Sequence, residues 1–256
     1  MAGEAHIRVT HVDKSFGDPS RPLPVLKDIS LSIAQGEFVT FFGPNGSGKT
    51  TLLNVLAGVE SVDRGEVRLM QQAGPSTIGY VFQDYRGNLM PWLTVAENIA
   101  FPLKIRGVPS GERARRVEEL LDRYNFELDL SAHTYTLSGG QAQLTSILRA
   151  LAIRPSLLLM DEPFSALDYH TNLDLYEKLH RIWNTDGATI LLVSHDLDEA
   201  LYLGERTVFL THRPATILAV VPSPLPRTKS LEDLGTAEFA AVKREALGLL
   251  RRGKHG

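Results

Sequence analysis

The chain has 256 residues, enough for one large domain or a domain with a smaller appendage. Its 43% hydrophobic and 22% charged residues are ordinary globular usage and argue against disorder, and a formal charge of -3 gives no global reason to expect nucleic acid binding. With no cysteine, disulfides and thiolate metal sites are excluded, which fits a reducing compartment.

Residues 1–10 lack the apolar core of a secretory signal. No apolar run approaches the roughly 18–20 residues of a membrane span, so a soluble chain is expected, with any membrane role exercised through partners. The eight histidines are scattered without an HExxH pairing, and no dedicated metal site is expected from them.

In chain order, residues 7–10, 29–33 and 66–70 alternate apolar and polar side chains and predict half-buried antiparallel strands. Residues 38–43 (FVTFFG) are continuously apolar, as a strand buried on both faces is. The pattern recurs at 78–82 (IGYVF), 157–161 (LLLMD) and 189–194 (TILLVS). Helical patterns separate these runs, the first over 49–57 and stopped by Gly58. Strands alternating with helices predict a parallel α/β core. From about 83 to 154 the strand signal disappears. Thr94 and Glu97 there form a capping box, and 112–124 is an amphipathic helix with Val117, Leu120 and Leu121 on one side. This block reads as a helical insertion. After Gly204 come another strand-like stretch, a Pro-rich crossing at 220–227 and a final helix at about 236–252, with a frayed, solvated basic tail expected at 249–256.

Residues 43–51 (GPNGSGKTT) follow a buried strand and open a helix, the context in which glycines turn backbone N–H groups around phosphate oxygens. Lys49 would reach the β- and γ-phosphates and the Thr50 hydroxyl would bind Mg²⁺. Asp161 and Glu162 end a buried strand, and strand C-termini line the ligand crevice of an open parallel sheet, so both are expected near that loop. Asp161 suits the Mg²⁺ shell, directly or through water, and Glu162 can polarise a water for attack on the γ-phosphate. His195, also at a strand end, can donate to the γ-phosphate, and the Gln83 amide can contact Mg²⁺ or water. Ser138 caps a helix whose first turn holds Gly139 and Gly140, a second anion site. One phosphate chain does not need two cradles; two chains packed head to tail would bring each cradle onto the other's nucleotide.

Together these motifs resemble the ATP-binding cassette ATPases over nearly the whole chain. Gly43, Pro44, Asn45, Gly46, Ser47, Gly48, Lys49, Thr50 and Thr51 match the Walker A loop, and 157–162 the Walker B strand. Gln83 matches the Q-loop, Leu137, Ser138, Gly139, Gly140 and Gln141 the signature, 165–168 (SALD) with Asp168 the D-loop, and His195 the switch histidine. Phe16 falls where the family places an aromatic that stacks on adenine. The resemblance implies a P-loop NTPase core (RecA-like, mainly parallel sheet) with an N-terminal antiparallel β subdomain and an inserted α-helical subdomain. One ATPase domain over 1–256 is expected, with its core in 1–82 and 155–225, the insertion in 83–154 and a helical tail in 226–256. It also implies ATP and Mg²⁺ as cofactors and a two-chain ATP sandwich of identical or paralogous subunits. Two transmembrane permease subunits and an extracytoplasmic solute-binding protein would complete the assembly, with the chain peripheral on the cytoplasmic side of the membrane. Residues 89–103 and 212–227 are most similar to importer ATPases for nitrate, sulfonates and taurine. Leu89, Met90, Pro91 and Trp92 form an apolar cluster that is either core or a docking patch. Where relatives commonly carry basic residues around 142 and 144, this chain has Ala142 and Leu144, within an uncharged run over 142–148. Action on DNA or ribosomes is disfavoured by the short span between Walker A and signature and by the single cassette. A regulatory cassette without turnover is disfavoured by the intact Lys49, Asp161, Glu162, Ser138, Gly140 and His195.

Overall fold

The computed structural model describes residues 5–18, 20–70 and 77–252. They fall into two compact units, Met1–Ser76 with Thr189–Gly256, and Thr77–Ala188. The first unit starts with β1 (Ala5–Phe16) and β2 (Leu23–Ala34), continues through β3 (Phe38–Phe42) and α1 (Lys49–Leu56), and reaches β4 (Arg64–Leu69). β1 lies between β2 and β4 in an antiparallel sheet, with Val9 opposite both Leu31 and Val67. Ile7, Val9, Val12, Ile29 and Ile33 point into its core. β1 and β2 each run 12 residues, well beyond the alternating runs visible in sequence. The pairing shifts register between Val9 and Val12, where His11 sits at φ 48°, so the period-2 pattern lapses while the strand continues.

The second unit opens with β5 (Ile78–Val81) and α2 (Tyr85–Asn88), followed by α3 (Val95–Ile105), α4 (Ser110–Tyr124) and α5 (Gly139–Leu151). It closes with β6 (Leu157–Asp161) and α6 (Tyr169–Asp186). β5 and β6 pair in parallel. β6 is buried throughout, as its unbroken apolar run predicts. β5 departs from that expectation: Ile78 and Tyr80 are only half-buried, and Phe82 lies beyond the strand, 45% exposed. Tyr80 and Phe82 stack on each other instead, with ring centroids 4.4 Å apart. α3 carries the predicted capping box, Thr94 Oγ1 accepting from Glu97 N and Glu97 Oε2 from Thr94 N. α4 buries Val117, Leu121 and Tyr124, and the Tyr124 hydroxyl donates to Asp186 at the end of α6.

Returning to the first unit, β7 (Thr189–Ser194), α7 (Leu197–Leu203), β8 (Arg206–Leu210), β9 (Ile217–Pro222) and α8 (Ala237–Arg252) complete the chain. β3 runs parallel to β7 and β8, with Phe42 opposite Ser194 on one side and Phe209 on the other. β9 pairs antiparallel with β8, so the first residues of the Pro-rich crossing belong to a strand. Of the predicted basic tail, Leu249 to Arg252 are helical rather than frayed; 253–256 lie outside the described residues. α8 is anchored by buried Phe239, Val242 and Ala246, and by Lys243, which pairs with Asp198 in the first turn of α7 at 2.7 Å.

Candidate functional site

The candidate residues gather in two groups, one in each unit. In the first unit, β3, buried over Phe38–Phe41, ends at half-buried Phe42 and the chain turns through 43–48 before α1 begins at Lys49. Gly48, the N-cap of α1, sits at φ 111°, ψ 16°, a left-handed conformation that L side chains disfavour. A Cβ on it would lie 2.7 Å from Val25 Cγ1, so the neighbouring β2 also demands glycine here. Among the described residues no side chain caps the helix, which leaves its first-turn amides available to an anion. Lys49, 4% exposed, folds back so that Nζ donates to Gly43 O at 2.9 Å and Pro44 O at 3.1 Å. That pose aims an ammonium into the turn. Ser47 Oγ is buried without a hydrogen-bond partner among the described residues, while the neighbouring Thr50 is exposed.

Because Phe42 pairs with Ser194, Gly43 and His195 leave their strands side by side. His195 is exposed, and Asp196 behind it caps α7 by accepting from Glu199 N at 3.0 Å. The far end of α7 is held by Lys229, whose Nζ donates to Tyr202 O at 2.5 Å and Gly204 O at 2.6 Å. Burial pushes this ammonium down to about 7, with Glu205 and Asp233 pulling the other way. No motif or periodicity singles Lys229 out; only the folded chain brings it to the helix end. Phe16, at the end of β1, is 38% exposed and has the Lys14 ammonium 5.0 Å from its ring centroid.

In the second unit Asp161 ends β6, 5% exposed, and burial, with the Asp161 charge adding to it, holds the Tyr80 phenol well above its ordinary range. Glu162 follows at φ 44°, a left-handed backbone in a non-glycine residue, the kind of strain that concentrates at functional sites. Gln83 Nε2 donates to Glu162 Oε2 at 3.3 Å, and Ser165 Oγ donates to Glu162 O at 3.1 Å. The structure thus brings Gln83 and Glu162 into contact across 79 positions of sequence. Asp168 is exposed and caps α6, accepting from Thr171 N at 3.0 Å and Thr171 Oγ1 at 2.6 Å. Those bonds lower its pKa below the usual carboxylate value.

Ser138 caps α5 as predicted, in a full capping box: Oγ accepts from Gln141 N at 3.2 Å and Gln141 Oε1 from Ser138 N at 3.0 Å. The two glycines behind it have a packing duty the sequence did not reveal. A Cβ on Gly140 would meet Thr171 Cγ2 at 2.6 Å, and one on Gly139 would meet Leu167 Cδ2 at 2.7 Å. The signature helix therefore starts in contact with the segment around Asp168. Residues 142–148 are all buried, so the uncharged run lies inside the fold. The apolar cluster before α3 divides: Leu89 is core at 4% exposure, whereas Trp92 is 73% exposed. Its loop is held by Asn98, missed in the sequence, whose buried amide bonds Met90 N and O and the carbonyls of Leu93 and Thr94.

A buried strand, a glycine turn and a helix that starts on a lysine define a P-loop nucleotide-binding protein. A family model described as "ABC transporter" matches residues 26–165. The taurine import ATP-binding protein of Chromobacterium violaceum is 39% identical, over 90% of this chain and 90% of its own length. A nitrate import ATP-binding protein of Synechococcus elongatus is 37% identical, over 94% of this chain and 90% of its own. Among solved structures, the ATP-binding cassette MJ0796, a dimer in a post-hydrolysis state bound to ADP and Pi, superposes with TM-score 0.73. It is 31% identical, and the match covers 86% of this chain and 100% of that one. This chain belongs to the ABC transporter family: it is an ATP-hydrolysing cassette with an N-terminal antiparallel sheet, mainly parallel central strands and a helical insertion.

Proposed function

We propose that this chain powers a membrane importer for a small oxyanion or organic anion, pairing head to tail with a second cassette around two ATP. The observation that carries the reading is the turn from Gly43 to Lys49, with an uncapped helix start and a buried ammonium aimed inward. Within it, residues 43–51 would cradle the phosphates of one ATP, with Phe16 against its adenine. Ser138, Gly139, Gly140 and Gln141 would meet the ATP of the partner chain, with Asp168 beside them.

Thr50, Gln83 and Asp161 offer hydroxyl, amide and carboxylate oxygens, the hard donors Mg²⁺ takes. When bound, the ion would neutralise charge on the phosphates. Glu162 polarises the attacking water, and Gln83, within hydrogen-bond distance, orients its carboxylate. Lys49 and His195 stabilise charge on the transferred phosphoryl group. No described helix is long and apolar enough to cross a membrane; on this reading the chain sits on the cytoplasmic face, held by two permease subunits. Trp92 would dock there, and a solute-binding protein would deliver the cargo. The relatives named for taurine and nitrate import support a solute that carries an oxyanion group. Identifying the co-purified permease and assaying uptake of taurine, alkyl sulfonates and nitrate would decide among them.

The direct test is Glu162→Gln. The variant is expected to bind Mg-ATP and dimerise while hydrolysing at least about 10²-fold more slowly. Hydrolysis at the parent rate would remove Glu162 as the base.

A further inference from the structure

Beside the glycine turn lies a cavity of about 550 Å³, within the roughly 300–1,000 Å³ of small-molecule sites. Gly43, Pro44 and Asn45 of the turn line it together with His195, as do Leu247, Leu250 and Arg251 of α8. Residues 46–51, the inner turn and helix start, do not line it. The cavity thus adjoins the phosphate cradle and shares with it Gly43, Pro44 and Asn45, the residues on which the cradle begins.

Its chemistry is two-sided. Leu218 of β9 joins the α8 leucines in an aliphatic bed, while Arg251, His212 and His195 supply the ionisable groups, and no carboxylate is among the described residues that line it. An inorganic anion would leave the bed wetted, and a neutral apolar molecule would forgo the charge-assisted bonds that Arg251 can donate. The walls do not need a ligand to stay apart. Phe239, Val242 and Ala246 are buried, Lys243 is tied to Asp198, and Leu247 one turn later remains 40% exposed.

We propose that this cavity binds an organic anion with a short apolar tail, a medium-chain sulfonate or carboxylate, and that occupancy slows ATP hydrolysis by tying His195 and the start of the glycine turn to α8. The effect on turnover rests on the functional reading above; the binding does not.

Titration calorimetry on the full chain, with octanesulfonate, octanoate, octanol and sulfate as probes, tests the site. Saturable one-to-one binding is expected for the first two, with octanol and sulfate at least about tenfold weaker, a gap of about 1.4 kcal/mol. The two head groups, compared directly, distinguish sulfonate from carboxylate ligands. Arg251→Glu and Leu247→Glu, both at exposed positions, should each weaken octanesulfonate at least about fivefold without changing ATP affinity, and Arg251→Lys should restore most of it. Saturating octanesulfonate should slow the parent ATPase at least about threefold and leave Arg251→Glu unaffected. Absence of saturable binding, octanol binding as well as octanesulfonate, or full binding in both glutamate variants would overturn the site. Saturable binding with unchanged turnover would overturn the coupling. A parent that binds the probe but never hydrolyses ATP would instead sink the functional reading.

Discussion

Placing arginine at 142 and 144 probes why α5 has no charge between its cap and Arg149. Ala142 is 1% exposed and Leu144 4%, and the two point to opposite sides of a helix buried all round over 142–148. Leu144→Arg removes an apolar side chain whose burial stabilises by about 1.5–3 kcal/mol. It also inserts a guanidinium that must find a partner or reach water, and an unpaired buried charge costs about 3–5 kcal/mol. Arg149 shows what the helix asks of such a group: it survives by donating to Asn88 O at 2.5 Å, and burial still depresses its pKa. Ala142→Arg adds overpacking worth about 1–3 kcal/mol. The double variant should lose at least about 4 kcal/mol, a large share of a typical total of 5–15. Urea unfolding followed through the buried Trp183, in a Trp92→Phe background, reports on this unit. ATP affinity of the folded fraction should be unchanged, since the glycine turn belongs to the other unit. Stability within about 0.5 kcal/mol of the parent would refute the burial reasoning. A stably folded variant that lost ATP binding would assign the run to the nucleotide site.

Gly48→Ala should cost about 2–4 kcal/mol from left-handed strain plus the 2.7 Å approach to Val25, and should abolish the ATP-induced rise in Tm. Gly46→Ala, at φ 73° but with nothing within 4 Å of its added Cβ, should cost only the strain of about 1 kcal/mol; equal damage in both would discredit the packing argument. Lys229 titrates near 7 when folded and near 10.4 when unfolded, so between those values the unfolded chain binds more protons and stability rises with pH. Relative to Lys229→Met, the parent should therefore gain stability from pH 7 to 9.5, by about 1 kcal/mol per unit or less after solvent screening; a relative loss in urea midpoints would reverse the sign assigned here.

Where a physical demand leaves few residue choices, the fold was legible from sequence. β3, β6 and β7, covered on both faces, show as unbroken apolar runs, and the glycine turn shows because Gly48 admits no Cβ. The α3 capping box was readable from the spacing of Thr94 with Glu97, and Ser138 as the cap of α5; that Gln141 completes a second box shows only in the fold. The full extent of β1 and β2 was hidden by irregular register near His11, and the half-exposure of β5 by side chains that are apolar either way. Within the candidate site, the residue types were legible but their local duties were not. Gln83 against Glu162, Gly140 against Thr171 and Lys229 against the end of α7 are all long-range meetings that no local pattern encodes.

If Trp92 docks a permease as proposed, the four bonds between Asn98 and its loop would serve work as well as shape. A docking loop that must first be ordered loses about 1–2 kcal/mol of backbone entropy per residue, whereas a pre-set indole loses only its side-chain rotamers. A partner gripping Trp92 would thus meet little slack. Displacement of α3 would pass to that partner as a push, not be absorbed as a bend.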